Sequence, residues 1–528
     1  AMTEAADRVF CNGAVHTLAD PDETVDAVAV RDGRVCRLGT TYDVEFLVGV
    51  DTDVVDLAGR TLLPGFVDAH THLTTVGRSL VHADLGVADS PADAVDRLAE
   101  RAAAVDAADP AESVPSAPWV LGYGYDESTW TDDRYLTRAD LDRVSTDRPV
   151  AAFREDMHVA AINEVALERF ADALAAAPSG TVQTDADGDP TGVLFEAAID
   201  PIYEAVEPGV EGTRAEVEAG LRLCRERGIT AFHDMVRDSH APRVYRELEA
   251  AGELTARVRI NYWTDHLDAV QAAGLPTNAG SAFVRTGAIK SFSDGSFGGR
   301  TAKLTEPYAD APGETGQWVV DPDALGEWVA AATDAGYQFT THAIGDAAVD
   351  AVLDTYETDA VDDPGTARHR IEHAELADDA AIERLAETGV VASVQPNFLK
   401  WAGDGGLYEA RLGSARTART NRYRDMLDAG VRLAFGSDGM PMDPLYGVHC
   451  AVTAPAESQR LTVTEALRAY TAGAAYAGFD EDRLGALERG TCADFVVLEE
   501  SPWDPASAIC DVDVAMTVVD GTVVYDAR

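Results

Sequence analysis

The sequence predicts an α/β protein: a (β/α)8 barrel of the TIM type, a β-sandwich assembled from both chain termini, and an insertion after the first barrel strand. Three observations lead there. From about residue 211 to Asp438, short apolar runs that end in a polar residue alternate with amphipathic helical stretches. That is the pattern of βα units on a parallel sheet. Both ends of the chain consist instead of short, quickly turning β-like runs. The stretch at about 80–210 is too long to be one barrel crossover. At 528 residues the chain exceeds the usual single-domain length. The expected division is 1–62 with 482–528 for the sandwich and 63–481 for the barrel, with the insertion inside the latter.

In order along the chain, Arg8–Thr17, Ala27–Leu38 and Val54–Leu63 are strand-like, with Asn12-Gly13 and Asp32-Gly33 as hairpin turns. At the far end, Ala493–Leu498 and Val514–Tyr525 answer them, turning at Asp520-Gly521. The first barrel strand is Thr61–Leu73, TLLPGFVDAHTHL. Side chains two apart on a strand point the same way, so His70 and His72 project together from its C-terminal end. Two neutral imidazoles so placed favour a shared metal ion. Within the insertion, the residues at 92–108 have helical periodicity, and Trp119–Trp130 and Phe153–Leu167 read as strand and loop. The later barrel strands are Gly228–Asp234, Val258–Tyr262, Gly287–Phe292, Tyr337–His342, Arg370–His373, Val390–Gln395 and Val431–Asp438. With the first, that makes about eight, enough to close a barrel whose reactive groups sit at the C-terminal strand ends.

Those ends carry His70, His72, Lys290, His342, His373 and Asp438. Lys290 stands out, because the chain holds only Lys290, Lys303 and Lys400 among 42 basic residues. A buried ammonium inside the apolar run GAIKSF is costly unless it is paired or modified. An amine that pairs with Asp294 or reaches the rim is one answer. The other is reaction with carbon dioxide, which makes the lysine a carboxylated, two-oxygen ligand able to bridge two ions.

Composition narrows the setting. Against 42 Lys and Arg stand 92 Asp and Glu, a net charge of −50, and the acids recur along the whole chain. Such a surface suits very high salt, where screening removes self-repulsion. It points to a halophile and makes nucleic acid and anionic membrane poor partners. The six cysteines are scattered without a CxxC pair, as expected of small core residues in a reducing compartment. No secretory leader and no run of membrane-spanning length is visible. The expected location is cytoplasmic and the expected partner a small-molecule substrate, with a homodimer as the commonest oligomer.

Taken together, the stretches LLPGFVDAHTHL, GYGYDESTW, IKSFSDGSFGGRTAKL, THAIGDAAVD, RIEHAEL, FGSDGMPMDPL and RLGALERGTCADFVVLEESP resemble the amidohydrolase superfamily. The branch they are most similar to is the amidohydrolase 3 group, which includes N-substituted formamide deformylase. The resemblance implies one or two divalent ions, usually Zn2+. Their ligands would be His70 and His72, a carboxylated Lys290, His342, His373 and Asp438. It also implies that Asp438 accepts a proton from metal-activated water and passes it to the leaving group. His158, Trp130 and Arg300 lie in family-like motifs and are candidates to bind or shape the substrate. One departure is Gly490-Thr491-Cys492-Ala493-Asp494, where relatives more often have lysine after the glycine. The implied reaction is hydrolysis of a non-peptide C–N bond, amide or formamide-like. A cyclic amidohydrolase, a deaminase and a catalytically silent ligand-binding barrel are the alternatives.

Overall fold

The computed structural model describes residues 5–107, 119–127, 130–155, 158–358, 365–504 and 508–528. Residue 108 of the expected helix, residues 128–129 of the Trp119–Trp130 run and residues 156–157 of the Phe153–Leu167 run lie outside them. The chain forms two compact units, one of residues 1–73 with 221–528 and one of residues 74–220.

The larger unit contains an eight-stranded parallel sheet. Its strands are β1 (Phe66–Thr71), β2 (Ile229–Val236), β3 (Arg257–Trp263), β4 (Val284–Phe292), β5 (Phe339–Ala343), β6 (Arg370–His373), β7 (Val391–Val394) and β8 (Leu433–Phe435). They are ordered 1 to 8 across the sheet. Most of their residues are buried on both faces, as a parallel sheet flanked by helices requires. The helices obey ordinary end rules. Asp378 caps Asp379–Thr388 at its start, and Gly389, with φ +70°, ends it in the left-handed conformation.

No backbone ladder joins β8 to β1 in the eight-strand order; their ends are sewn together by side chains and by backbone beyond β8. The buried Asp68 carboxylate accepts from the backbone N–H of Ser437 at 3.0 Å, its hydroxyl at 2.5 Å and the N–H of His70 at 3.1 Å. The N–H of Asp438 donates to the His70 carbonyl at 2.7 Å. Gly436 passes so close that a Cβ there would lie 2.4 Å from the His70 nitrogen. The seam therefore brings the HxH stretch against the residues that follow β8.

Two sheets of short strands share one core. The first orders Arg34–Gly39, Ala27–Arg31, Arg8–Cys11 and Asp53–Asp56; the second runs from Thr522–Asp526 through Val514–Val519, Phe495–Leu498 and Thr61–Pro64 to Ala14–His16 and Thr24–Val25. Phe10, Val28, Val30, Leu62, Phe495 and Val518 pack between them. Phe495–Leu498 pairs with Thr61–Pro64, so the C-terminal chain completes a sheet begun by the N-terminal one. Asp494 then receives the buried Arg257 of β3 in two hydrogen bonds, at 2.7 and 3.0 Å. Thr491, at the departure from the family pattern, donates its hydroxyl to the Glu488 carbonyl. The six cysteines are free, and Cys224, Cys450 and Cys492 are buried.

The smaller unit has its own six-stranded sheet, from Val182–Thr184 through Pro190–Phe195, Val159–Ile162, Val150–Arg154 and Val120–Tyr125 to Ala83–Asp84. Two apolar clusters form its core, one including Leu98, Tyr125, Trp130 and Leu141, the other Phe153, Ile162, Leu194 and Ile202.

Candidate metal centre

The strand ends bring four histidines into one cluster. Ring centroids are 5.6 Å apart for His70 and His72, 5.0 Å for His70 and His373, and 4.5 Å for His342 and His373. His70 lies on β1. His72 stands one residue past the strand end, which stops at Thr71, so it owes its direction to an anchor and not to the pleat. That anchor is the Met235 carbonyl, 3.1 Å from His72 Nδ1. Both Nε2 atoms then face the same carboxylate: Asp438 Oδ1 is 3.5 Å from each. His70, His72 and Asp438 present one ligand atom apiece within 4.8 Å of one another, a spacing a single cation can bridge.

Asp438 is not on β8, as the run Val431–Asp438 suggests; the strand stops at Phe435. Asp438 sits in a turn with φ +53°, and His373 closes β6 with φ +74°. Left-handed backbone is uncommon for residues with a Cβ and clusters at sites where a side chain must be aimed. Here the surrounding bonds hold it. Asn397 Nδ2 donates to the Ser437 and Met440 carbonyls, at 2.8 and 2.7 Å, on either side of Asp438.

Each histidine spends one ring nitrogen on the protein. His70 Nδ1 meets Glu372 Oε2 at 2.6 Å and His373 Nδ1 meets Gln395 Oε1 at 2.7 Å. His342 Nε2 meets the Gly295 carbonyl at 2.9 Å. That leaves Nε2 of His70, His72 and His373 and Nδ1 of His342 for a ligand role. Carboxylate and carbonyl partners of this kind set the tautomer of metal-binding imidazoles. Burial keeps three of the rings neutral: it lowers His342 to about 3, brings His373 well below its ordinary value, and lowers His72 to about 4 although part of its side chain reaches solvent.

Lys290 is 1% exposed on β4, and among the described residues its Nζ has no hydrogen-bond partner. Asp294 does not pair with it. That carboxylate instead accepts the backbone N–H groups of Lys303, Ile344 and Gly345 at 2.7–3.0 Å. Burial lowers the Lys290 amine to about 8, against the opposing pull of Glu372 and Asp438. That unpaired amine lies close enough to His72, His342 and His373 for its charge to lower each of them. The donor set fits a divalent cation.

The residues behind the cluster escape a reading based on histidines. Glu372 is fully buried and is held by Arg370 at 2.7 Å, by His70 and by the Thr340 hydroxyl. Burial would raise its pKa, but Arg370, His70 and Lys290 bring it well below the ordinary value. Arg370, also fully buried, donates to His233 Nδ1 at 2.9 Å, the Ala69 carbonyl at 2.6 Å and Ser393 Oγ at 2.8 Å. The signal was present in RIEH: two opposite charges two apart face one side of a strand otherwise buried in the barrel. Asp68 and His70 make a similar pair.

Arg300 has φ +54° and pairs with Asp310, which Arg411 shares; none of its described contacts reaches the histidine cluster. In the smaller unit, Trp130 is 3% exposed, stacks on Tyr125 and donates its indole N–H to the Ala88 carbonyl at 2.8 Å. Packing takes up that side chain. His158, 66% exposed, pairs with Glu196 at 3.0 Å.

Glu375, two residues beyond His373, gives a pH-dependent prediction. Burial pushes its carboxyl to about 8, while the Tyr408 hydroxyl and Asn421 pull the other way. The folded chain thus holds a proton that the unfolded chain releases near pH 4. Stability from this group is full below that pH and is lost as pH rises towards 8. Asp294, raised by burial to about 7, acts in the same direction. Melting temperatures between pH 5 and 8.5 are expected to fall less steeply in Glu375→Gln than in the parent. Parallel curves would remove Glu375 from the account.

The amidohydrolase family model matches residues 53–525. The chain is 32% identical to the Bacillus subtilis protein YtcJ over 98% of this chain and 99% of that one. It is 26% identical to an N-substituted formamide deformylase of Arthrobacter pascens over 99% of each. Among solved structures, a metal-dependent hydrolase of Pyrococcus furiosus superposes with a TM-score of 0.78 at 29% identity, covering 94% of this chain and all of the other.

Proposed function

The chain belongs to the amidohydrolase family, and from that premise we propose that it hydrolyses a non-peptide C–N bond, amide or N-substituted formamide-like, at the His70–His72–Asp438 cluster. The observation that carries the reading is the Asp438 carboxylate facing two imidazole Nε2 atoms at 3.5 Å. His70, His72, His342, His373 and Asp438 would hold one or two divalent ions, zinc being the natural choice for imidazole and carboxylate donors. Such an ion supplies Lewis acidity, acidifying water and polarising a carbonyl.

The chain's own groups do the rest. Asp438 accepts a proton at a carboxylate oxygen and returns it to the leaving nitrogen. Its left-handed turn, pinned by Asn397 and by the seam to β1, keeps that oxygen beside both imidazoles. Glu372 holds His70 with Nε2 turned towards Asp438, where it would be free to hold the ion. The Lys290 amine, unpaired and drawn towards its neutral form, is suited to adding carbon dioxide: an N–C bond forms, a proton leaves, and the carbamate supplies two oxygens to the cluster. The deformylase relative supports a formamide-like substrate, since that activity is carried by a chain similar over nearly its whole length.

The test uses protein purified in molar salt, as its acidic surface calls for. Metal analysis is expected to find one or two divalent ions per chain. Chelation is expected to abolish turnover across a panel of N-formyl, N-acyl and cyclic amides, and zinc or manganese to restore it. A chain with no bound ion and no turnover on the reconstituted panel would instead be a silent barrel.

A further inference from the structure

Towards the N-terminal ends of β2, β3 and β4, opposite the strand ends that carry the metal cluster, lies a cavity of about 10 Å³, room for one water-sized guest. Its polar side-chain lining is His233, Arg257, Arg259, Arg285, Asp480 and Arg483. Asp480 and Arg483 come from the segment just past the helix Ala474–Ala477. Arg257 is matched, by Asp494 at 2.7 Å and by Asp520 at 2.9 Å. The other three arginines share one carboxylate: Asp480 meets Arg259 at 2.8 Å, Arg285 at 3.0 Å and Arg483 at 3.4 Å. Among the described residues no other acidic group pairs with any of the three.

Donors without acceptors border this cavity. Arg259 is 2% exposed, and among the described residues its Nε and that of Arg483 are buried with no hydrogen-bond partner. His233 adds a third donor. Its Nδ1 accepts from Arg370 at 2.9 Å, so the ring, kept neutral by burial, carries its proton on Nε2. A Cβ on Gly478 would lie 2.7 Å from His233 Nε2 and 2.8 Å from Arg259 Nε. The glycine keeps open the corner on which both nitrogens converge. Burial lowers the Arg259 guanidinium from its ordinary value against the pull of Asp480, and Arg285 and Arg483 lower it further. A single unpaired nitrogen is no signal, since the buried Arg370 has one too. Three donors around one cavity, with three guanidinium charges on one carboxylate, call for an acceptor that also carries negative charge.

We propose that the cavity binds one monatomic anion, chloride, through Arg259 Nε, Arg483 Nε and His233 Nε2. Its size excludes phosphate, carboxylates and other polyatomic anions. Arg285 and Arg483, with side chains 24% and 18% exposed, can draw back the little that chloride needs beyond a water. The ion ties β2 and β3 to the segment that leads from the barrel into the sandwich. Chloride then stabilises this fold by binding to it, and not only by screening its acidic surface. The site is independent of the hydrolase reading, since none of its residues is a candidate metal ligand. The competing reading is a single buried water.

Crystals of the full chain grown in molar potassium chloride and measured with long-wavelength X-rays separate the two, because chloride scatters anomalously there and a water oxygen does not. An anomalous peak is expected within hydrogen-bonding reach of Arg259 Nε and His233 Nε2. In solution, chloride replaces gluconate, an anion too large for the cavity, at constant ionic strength. The parent is expected to gain about 1 °C in melting temperature for each tenfold rise in chloride beyond Kd, the increment that one site gives a chain of this length. Gly478→Ala, whose methyl group fills the corner between the two nitrogens, is expected to lose both the peak and the chloride response. Arg483→Gln, at the more exposed side of the cavity, is expected to need about tenfold more chloride or beyond, the worth of one charge-assisted contact; it carries the test if the alanine variant does not fold. A parent without the anomalous peak overturns the proposal in favour of water. So does a chloride response that is the same in the parent and in every variant that folds.

Discussion

Asp438→Asn retains its divalent ion and loses turnover by about 10²- to 10⁴-fold, the contribution of a positioned general acid–base group. An amide oxygen can still approach the cation beside His70 and His72, but it cannot accept a proton at neutral pH. The loss falls in kcat, because substrate binding does not depend on that proton. Metal content per chain and steady-state kinetics on the same preparation make the measurement. A variant that keeps its ion and its kcat would take the proton-shuttle role away from Asp438. One that loses its ion would make Asp438 principally a ligand.

Glu372→Ala is expected to be the most damaging substitution for the folded state. It leaves Arg370 charged and fully buried, with its closest counter-ion gone. Breaking a buried pair from one side costs about 3–5 kcal/mol. It also frees His70 Nδ1, and loss of such an outer partner weakens metal binding by about 10- to 100-fold. Denaturant unfolding reads the first effect and competition with a chelator the second. Glu372→Gln separates them: the amide oxygen still accepts from His70, so metal affinity is expected to recover more than stability. A stable Glu372→Ala variant with undiminished affinity would show that Arg370 and His70 are held by other contacts.

Most of the barrel is legible in the chain because its strands are buried on both faces and read as short apolar runs. Expected and observed strands coincide at Arg370–His373 and differ by a few residues elsewhere, except that the run Thr61–Leu73 divides at Gly65: Thr61–Pro64 pairs in the sandwich and only Phe66–Thr71 enters the barrel. The histidines are legible for the complementary reason: a polar side chain at the end of an apolar run has nowhere to go but the mouth of the barrel. Glu372 and Arg370 are harder to see. Within a strand a charged pair reads as an exposed face, and only the closed sheet makes that face the interior.

By itself, then, the sequence determined the alternation of strand and helix, the acid-rich and lysine-poor composition, and which six side chains were candidates for the mouth of the barrel. Periodicity, composition and spacing are local properties, and they survive without a fold. Only the tertiary structure decided which nitrogen of each histidine is spent on the protein, that Asp438 has left its strand for a strained turn, and that Lys290 ignores Asp294. Those are relations between groups tens to hundreds of residues apart. They are set where β8 meets β1 and where loops from different strands touch, through contacts that no spacing along the chain encodes.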